Sequence, residues 1–297
     1  SLETPPALPA KVLDRECYHQ MFHECTKLKE APELPATKMA TDCYALMFAS
    51  CENLTVAPKL PATELATRCY ASMFGGCTNL TQAPELPATT LDSSCYSGMF
   101  YLCSALEKAP ELPATTLADD CYSGMFMKCT SLEKAPELPA KELTDNCYAY
   151  MFNGCTNLNY IKVGVMSLDN DFAATENWVE GIDGPGVFIF PCGSKYDKHG
   201  VSEVPENFKI VASPIVVFQN PDGKELWRDT IGCDVVPEYP LEEKGEPFYK
   251  EGLVFKGWDV EPHVHETPDT YYYTAVYEEK ADTTTVENNW LCFTAEA

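Results

Sequence analysis

From residue 13 to residue 160 the apolar positions follow one pattern without a slip. The pair Cys-Tyr stands at 17, 43, 69, 95, 121 and 147, always 26 residues apart. Aligned on it, the copies read L-x3-C-Y-x2-M-F-x2-C-x2-L-x2-A-P-x-L-P-A. The first Leu position holds Leu13, Met39, Leu65, Leu91, Leu117 and Leu143. Identical units at a period of 20 to 50 residues predict a solenoid, in which each unit buries its apolar face only against its neighbours. On a helical wheel at 100° per residue Cys121, Met125, Cys129, Tyr122 and Phe126 fall within about 140° of one another, so this segment is predicted to be a helix with one apolar face. Thr41, Thr67, Ser93, Asp119 and Asp145 precede five of these segments by two residues and are good helix caps.

The A-P-x-L-P segment is too short and too rich in proline for a helix. It predicts a short parallel strand, shortened or made polyproline-like because Pro32, Pro58, Pro84, Pro110 and Pro136 have no amide hydrogen. Pro6 to Pro9 are in phase with Pro32 to Pro35, so the array opens part-way through a repeat and an N-terminal cap is expected to be missing. After Leu158, strands are predicted near 160–165, 187–190 and 208–211, with a short helix over 176–182; residues 161–212 are taken as a degenerate last repeat and cap.

From Ser213 the periodicity disappears. The stretch IVVFQNPDGKELW holds Asp222-Gly223 between two alternating runs, a hairpin signal, and LVFKGWD (253–259) and TYYYTAVYEE (270–279) read as further strands. Residues 280–297 read as a linker followed by the truncated start of another strand.

Two resemblances rest on these residues. The motif MF-x2-C-x2-L followed by A-P-x-L-P-A, over about residues 5–160, resembles the BspA-like leucine-rich repeats of Bacteroidetes surface proteins. Residues 213–279, with Phe255, Gly257 and Trp258 in an F-x-G-W strand end, resemble the Listeria–Bacteroides repeat, a small β-grasp-like module. Together they imply an α/β fold: a right-handed leucine-rich-repeat solenoid of short parallel strands plus helices over 1–160, its cap over 161–212, and a β-grasp-like domain over 213–279. They also imply an exported, cell-surface or extracellular, monomeric adhesion protein recognising a host or matrix protein or a glycan. An architectural spacer for a domain outside this chain is the rival reading.

Composition narrows the function. The formal charge is −24 from 21 basic and 45 acidic residues, which repels nucleic acid and anionic membrane surfaces. Residues 161–297 hold 26 of the acidic and 10 of the basic side chains. No apolar run is long enough to span a bilayer. Since the sequence opens on Ser1, the lack of an apolar leader says nothing about compartment.

The 15 cysteines are the obvious candidates for chemistry. Two cysteines eight residues apart on a helix lie about 12 Å apart along its axis, too far for a disulfide. An eight-residue interval without histidine also lacks the close pairs of a zinc site. Small buried thiols are the favoured reading, with disulfides between some repeats and metal binding as alternatives. Cys192, Cys233 and Cys292, outside the repeat, are likewise read as buried thiols. His19 and His23 fall on variable positions of one predicted helix, and His263 and His265 on a possible strand beside Glu261 and Glu266; all four read as surface residues. With no catalytic motif, metal set or cofactor motif, no enzyme activity and no cofactor are expected. The remaining candidate is the variable position of A-P-x-L-P, which holds Glu33, Lys59, Glu85, Glu111 and Glu137. A parallel stack aligns these at about 4.8 Å intervals on one face.

Overall fold

The computed structural model describes residues 2–169, 173–233, 235–265 and 268–279. The chain divides into two compact units, Ser1–Ala212 and Ser213–Ala297. The segment predicted as linker and strand, 280–297, lies outside the described residues, as do Cys292 and Glu266.

The helices expected in every repeat do not form, and the first unit is therefore not an α/β leucine-rich-repeat solenoid of strands and helices. Each C-Y-x2-M-F-x2-C segment is a flat ribbon of consecutive tight turns. In the fifth repeat Cys121, Met125 and Cys129 donate their amides three residues back, to Ala118, Tyr122 and Phe126, at 3.2, 3.1 and 3.0 Å. The third residue of each of these turns, Asp120, Gly124 and Lys128, has φ of 56°, 62° and 62°. That is the left-handed conformation a type II turn demands there. The even-numbered amides leave the repeat altogether: Tyr122, Gly124 and Phe126 donate to Cys147, Ala149 and Met151 of the next repeat at 3.1, 2.7 and 2.9 Å.

The physical reason for the correction is twofold. The apolar pairs recur at intervals of four residues, which a ribbon of four-residue turns keeps on one face without drift, whereas a helix of 3.6 residues per turn rotates them. The spacing between repeats then excludes helices. Tyr18 to Tyr148 stack ring on ring at 5.6–6.1 Å, and Phe22 to Phe152 at 5.5–5.8 Å. Packed helices need about 8–10 Å between axes.

The core enclosed by the repeats holds the two aromatic columns, both cysteine columns, the Met column and the leucines. From Cys43 to Cys155 these cysteines, Met and Phe side chains are fully buried. Both aromatic columns end on Trp178, 6.2 Å from Tyr148 and 6.1 Å from Phe152. Trp178 belongs to a seventh ribbon: Ala173, Asn177 and Gly181 take φ of 49°, 47° and 83°, and Tyr148 and Phe152 donate to the Ala174 and Trp178 carbonyls at 2.8 Å. The helix expected over 176–182 is thus one more run of turns. A bidentate ion pair links two repeats at the surface. Arg68 donates to both oxygens of the buried Asp42 carboxylate at 2.7 and 2.6 Å, which holds the Asp42 carboxyl below its ordinary value.

Proline decides where strands appear. Among the described residues before 160 the parallel pairing is reduced to isolated bridges, such as Glu30 to Val56, Val56 to Gln82 and Gln82 to Lys108. Where the prolines stop, ladders form: β1 (Tyr160–Lys162), β2 (Gly186–Ile189) and β3 (Phe208–Val211) make a parallel sheet in that order. Ala135 now finds a partner for its amide, the Tyr160 carbonyl at 2.9 Å. The last ribbon is closed by the loop after His199. Val179 donates to the Val201 carbonyl at 3.1 Å, and Trp178 Nε1 to the Glu203 carbonyl at 2.8 Å.

The second unit is a four-stranded mixed sheet made of β4 (Ile215–Gln219), β5 (Glu225–Thr230), β6 (Leu253–Trp258) and β7 (Thr270–Glu279) in the order β5-β4-β7-β6. The central pair β4 and β7 is parallel and both edge pairs are antiparallel. α1 (Leu241–Lys244) is the one helix among the described residues. The hairpin at Asp222-Gly223 is formed, with Gly223 at φ 80° and Phe218 opposite Trp227. Phe218 is the hub of the small core, 4.5 Å from the ring of Trp258 and 5.0 Å from that of Tyr273.

One feature of the aromatic columns is costly. The Tyr44 and Tyr122 hydroxyls are buried without a hydrogen-bond partner among the described residues. Tyr122→Phe is expected to raise stability to urea by about 1 kcal/mol, since a buried unpaired hydroxyl carries a desolvation penalty. Phe126→Ala, which empties a site in the adjoining column, is expected to cost about 3–5 kcal/mol. Loss of stability in both variants would show that the Tyr122 hydroxyl has a partner.

Candidate binding face

The cysteines are scaffold. All twelve cysteines of the repeats are free thiols. From the second repeat on, the second one of each repeat donates its S–H to the Phe carbonyl of the preceding repeat: Cys51 to Phe22 at 3.0 Å, Cys103 to Phe74 and Cys129 to Phe100 at 3.1 Å. A cysteine therefore serves as a small apolar filler with a weak donor at a carbonyl that the ribbon leaves exposed to it. Burial pushes the Cys43, Cys51 and Cys147 thiols up to about 11 and the Cys95, Cys103 and Cys155 thiols up to about 12. They are protonated and inert at neutral pH. Outside the repeat the reading is corrected: Cys192 and Cys233 are disulfide-bonded, not buried thiols.

The histidines assemble no centre. His19 and His23 are exposed, and His23 Nδ1 lies 3.7 Å from Glu24. His265 is buried, unlike the surface residue expected, because its ring stacks on Tyr271 at 3.4 Å and its Nε2 meets the Tyr273 hydroxyl at 2.7 Å. Burial, and then the neighbouring His263, hold it below its ordinary value. Among the described residues no three His, Cys, Asp or Glu side chains are grouped to hold a metal ion.

Glu33, Lys59, Glu85, Glu111 and Glu137 are all exposed, and the leucine after each is buried. Extended backbone explains this alternation, since neighbouring side chains point to opposite faces. The column is divided into four environments. Glu85 and Glu111 share one groove of 420 Å³ between repeats, walled by Pro84, Pro87, Pro110 and Pro113. Glu33 lines a separate groove of 360 Å³ with Pro6, Pro9, Pro32 and Pro35. Glu137 is paired with Lys162 at 3.0 Å. Lys59 lines neither groove. Two carboxylates about 4.8 Å apart in water repel by only about 0.9 kcal/mol, so the groove tolerates Glu85 and Glu111 side by side.

No protein-family model matches the chain, and no curated protein matches it. Its chemistry is therefore read from its own surface.

A third groove was not legible in the sequence. On the outer side of the ribbons Ser72, Ser97, Gly98, Ser123 and Gly124 form a shallow trough of 450 Å³ edged by Tyr101, Met127 and Tyr150. On a helix these positions scatter over the solvent face. In the ribbon they line up from repeat to repeat, and the recurring Ser-Gly at 97–98 and 123–124 was the available signal. The Tyr150 hydroxyl is held by Glu176 at 3.1 Å.

Two outcomes test the role of the thiols. At neutral pH a thiol reagent is expected to modify Cys17, which is exposed, and then the half-buried Cys25, and the remaining repeat cysteines only after denaturation. Stability is also expected to fall steeply in alkali. A thiol raised on folding contributes fully below its unfolded value near 8.5 and loses that contribution as pH rises towards the folded value. Six such thiols give a slope of about 8 kcal/mol per pH unit once the unfolded thiols are ionised. Circular dichroism through urea titrations from pH 8 to 11 measures it; constant stability across that range would exclude buried thiols.

Proposed function

We propose that the chain is a non-catalytic, exported binding protein that takes up a protein or glycan ligand on the proline-walled face of its repeats. The observation that carries this reading is the groove between Pro84, Pro87, Pro110 and Pro113, in which two carboxylates, without a salt bridge among the described residues, stand between apolar rings. Such a surface suits a ligand with ammonium, guanidinium or hydroxyl donors beside aliphatic surface. The backbone adds to it, because proline-interrupted segments are spared from inter-repeat ladders and keep polar groups open to a ligand. The resemblance of the MF-x2-C-x2-L and A-P-x-L-P-A motifs to BspA-like surface proteins supports the same reading. Export is supported by disulfide bonding at Cys192 and Cys233, since such bonds persist in oxidising compartments.

A spacer role is the second reading. It is favoured by the unbroken aromatic columns from Tyr18 and Phe22 to Trp178, which tie every repeat to its neighbours. The two readings separate in one experiment. The double variant Glu85→Gln, Glu111→Gln keeps side-chain size and is expected to fold as the parent does. If the groove binds, retention on host cells or extracellular matrix falls about tenfold or more. Retention equal to the parent's leaves the spacer reading standing.

A further inference from the structure

The shallow trough on the outer side of the ribbons is made by two adjacent repeats, the fourth and the fifth, that depart together from the pattern of the others. Two residues after the first cysteine, the second, third and sixth repeats have Ala45, Ala71 and Ala149, whereas the fourth and fifth have Ser97 and Ser123. At the next position Leu46, Ser72 and Tyr150 give way to Gly98 and Gly124. Two residues before the second cysteine, Ala49, Gly75 and Asn153 give way to Tyr101 and Met127.

The backbone does not call for these glycines. Leu46, Ser72 and Tyr150 hold the same turn position at φ of 55°, 50° and 56°, against 62° at both Gly98 and Gly124. What the glycines supply is space. A Cβ on Gly124 would meet nothing within 4 Å, and the Ser72 hydroxyl reaches over Gly98, 2.9 Å from where a Cβ would stand. Two missing side chains thus open 450 Å³ lined by Ser97, Ser123, Tyr101 and Met127, with Ser72 and Tyr150 at the ends. Small-ligand sites run to about 300–1,000 Å³. Little of this lining serves the core. Tyr101, Met127 and Tyr150 are half-buried and pack on neither core cluster. The Ser72, Ser97 and Ser123 hydroxyls make no side-chain hydrogen bond among the described residues.

We propose that this trough is a second binding site, sharing no residue with the proline-walled groove, for a neutral oligosaccharide lying along the stack. Its chemistry carries the choice. The negative faces of tyrosine rings meet the C–H face of a pyranose ring, whose hydrogens carry partial positive charge. Serine hydroxyls, which both donate and accept, match the hydroxyl rim of the same sugar. No charged side chain lines the trough, so none is there to hold an ammonium or guanidinium group. The formal charge of −24 repels acidic sugars. Ser72, Gly98, Gly124 and Tyr150 come from four consecutive repeats, so the trough runs about 14 Å along the array, three strand spacings, enough for a chain of rings.

The probes are cellotetraose and tri-N-acetylchitotriose, both neutral, extended and β-linked, titrated into the intact protein by calorimetry with trigalacturonic acid as the acidic control. At least one neutral probe is expected to bind with a Kd below about 1 mM, and the acid not to bind. The double variant Ser97→Ala, Ser123→Ala installs the residue that three other repeats already carry there, so the fold is kept. Its affinity is expected to fall about tenfold or more, the loss of two hydrogen bonds. Tyr101→Ala is expected to weaken binding as much, and Tyr101→Phe to bind as the parent does. Gly124→Asn fills the trough with a residue that tolerates the left-handed conformation, and is expected to abolish binding. The variant Glu85→Gln, Glu111→Gln is expected to bind the probes unchanged. The proposal fails if neither neutral probe binds at millimolar concentration, if the acid binds equally well, or if the serine double variant binds as tightly as the parent. It fails too if Glu85→Gln, Glu111→Gln loses the probes, which would place the sugar in the proline-walled groove.

Discussion

The hydrogen bond from every second ribbon amide to the carbonyl of the next repeat is the interaction on which the first unit depends. It sets the separation of the repeats, and the separation sets everything packed inside. Rings held 5.5–6.1 Å apart lie nearly parallel and offset from one another, a favourable geometry worth about 0.5–1.5 kcal/mol per pair beyond burial. At that spacing a helix has no room, and a side chain much larger than cysteine or alanine has none at the edges of the column. The remaining amides turn back three residues, so a ribbon without helix or strand still satisfies its backbone.

The cysteines follow from the same constraint. Each Phe carbonyl accepts an amide from its own ribbon, as Phe126 does from Cys129 at 3.0 Å, and has a lone pair left. The thiol of the next repeat reaches it, Cys155 at 3.0 Å from Phe126. Serine there would bury a far more polar group, and valine would crowd a column that advances by about one strand spacing. The sulfur chemistry is spent on packing, which moves the search for function to the outer surface, where Glu85 and Glu111 stand between prolines.

Much of the architecture was legible in the pattern. The 26-residue period, the buried set Cys, Tyr, Met, Phe and Leu, the interruption of strands by proline, and the hairpin at Asp222-Gly223 all follow from residue types and their spacing. The helices did not, and the reason lies in particular residues. Gly98, Gly124 and Gly154, with Asp42, Asp120 and Asn146, recur at the positions that take positive φ. They mark turns, but Leu46, Arg68, Leu102 and Tyr150 occupy equivalent places and obscure the mark. Those residues are held in a conformation that costs them energy locally, and only the hydrogen bonds to the next repeat make it the stable one. A wheel drawn on one repeat contains no information about such bonds.

The sequence by itself determined that the first 160 residues are a stack of identical units with a sulfur-rich aromatic core, and that Glu33, Lys59, Glu85, Glu111 and Glu137 occupy one outward position in it. Periodicity carries both, because a residue repeated in phase meets the same surroundings in every unit. Tertiary structure alone decided that the unit is a ribbon of turns, and that Glu85 and Glu111 share a groove while Glu137 is paired with Lys162. Each of these depends on how far apart neighbouring repeats sit, a distance set by hydrogen bonds between residues about 25 positions apart in the chain.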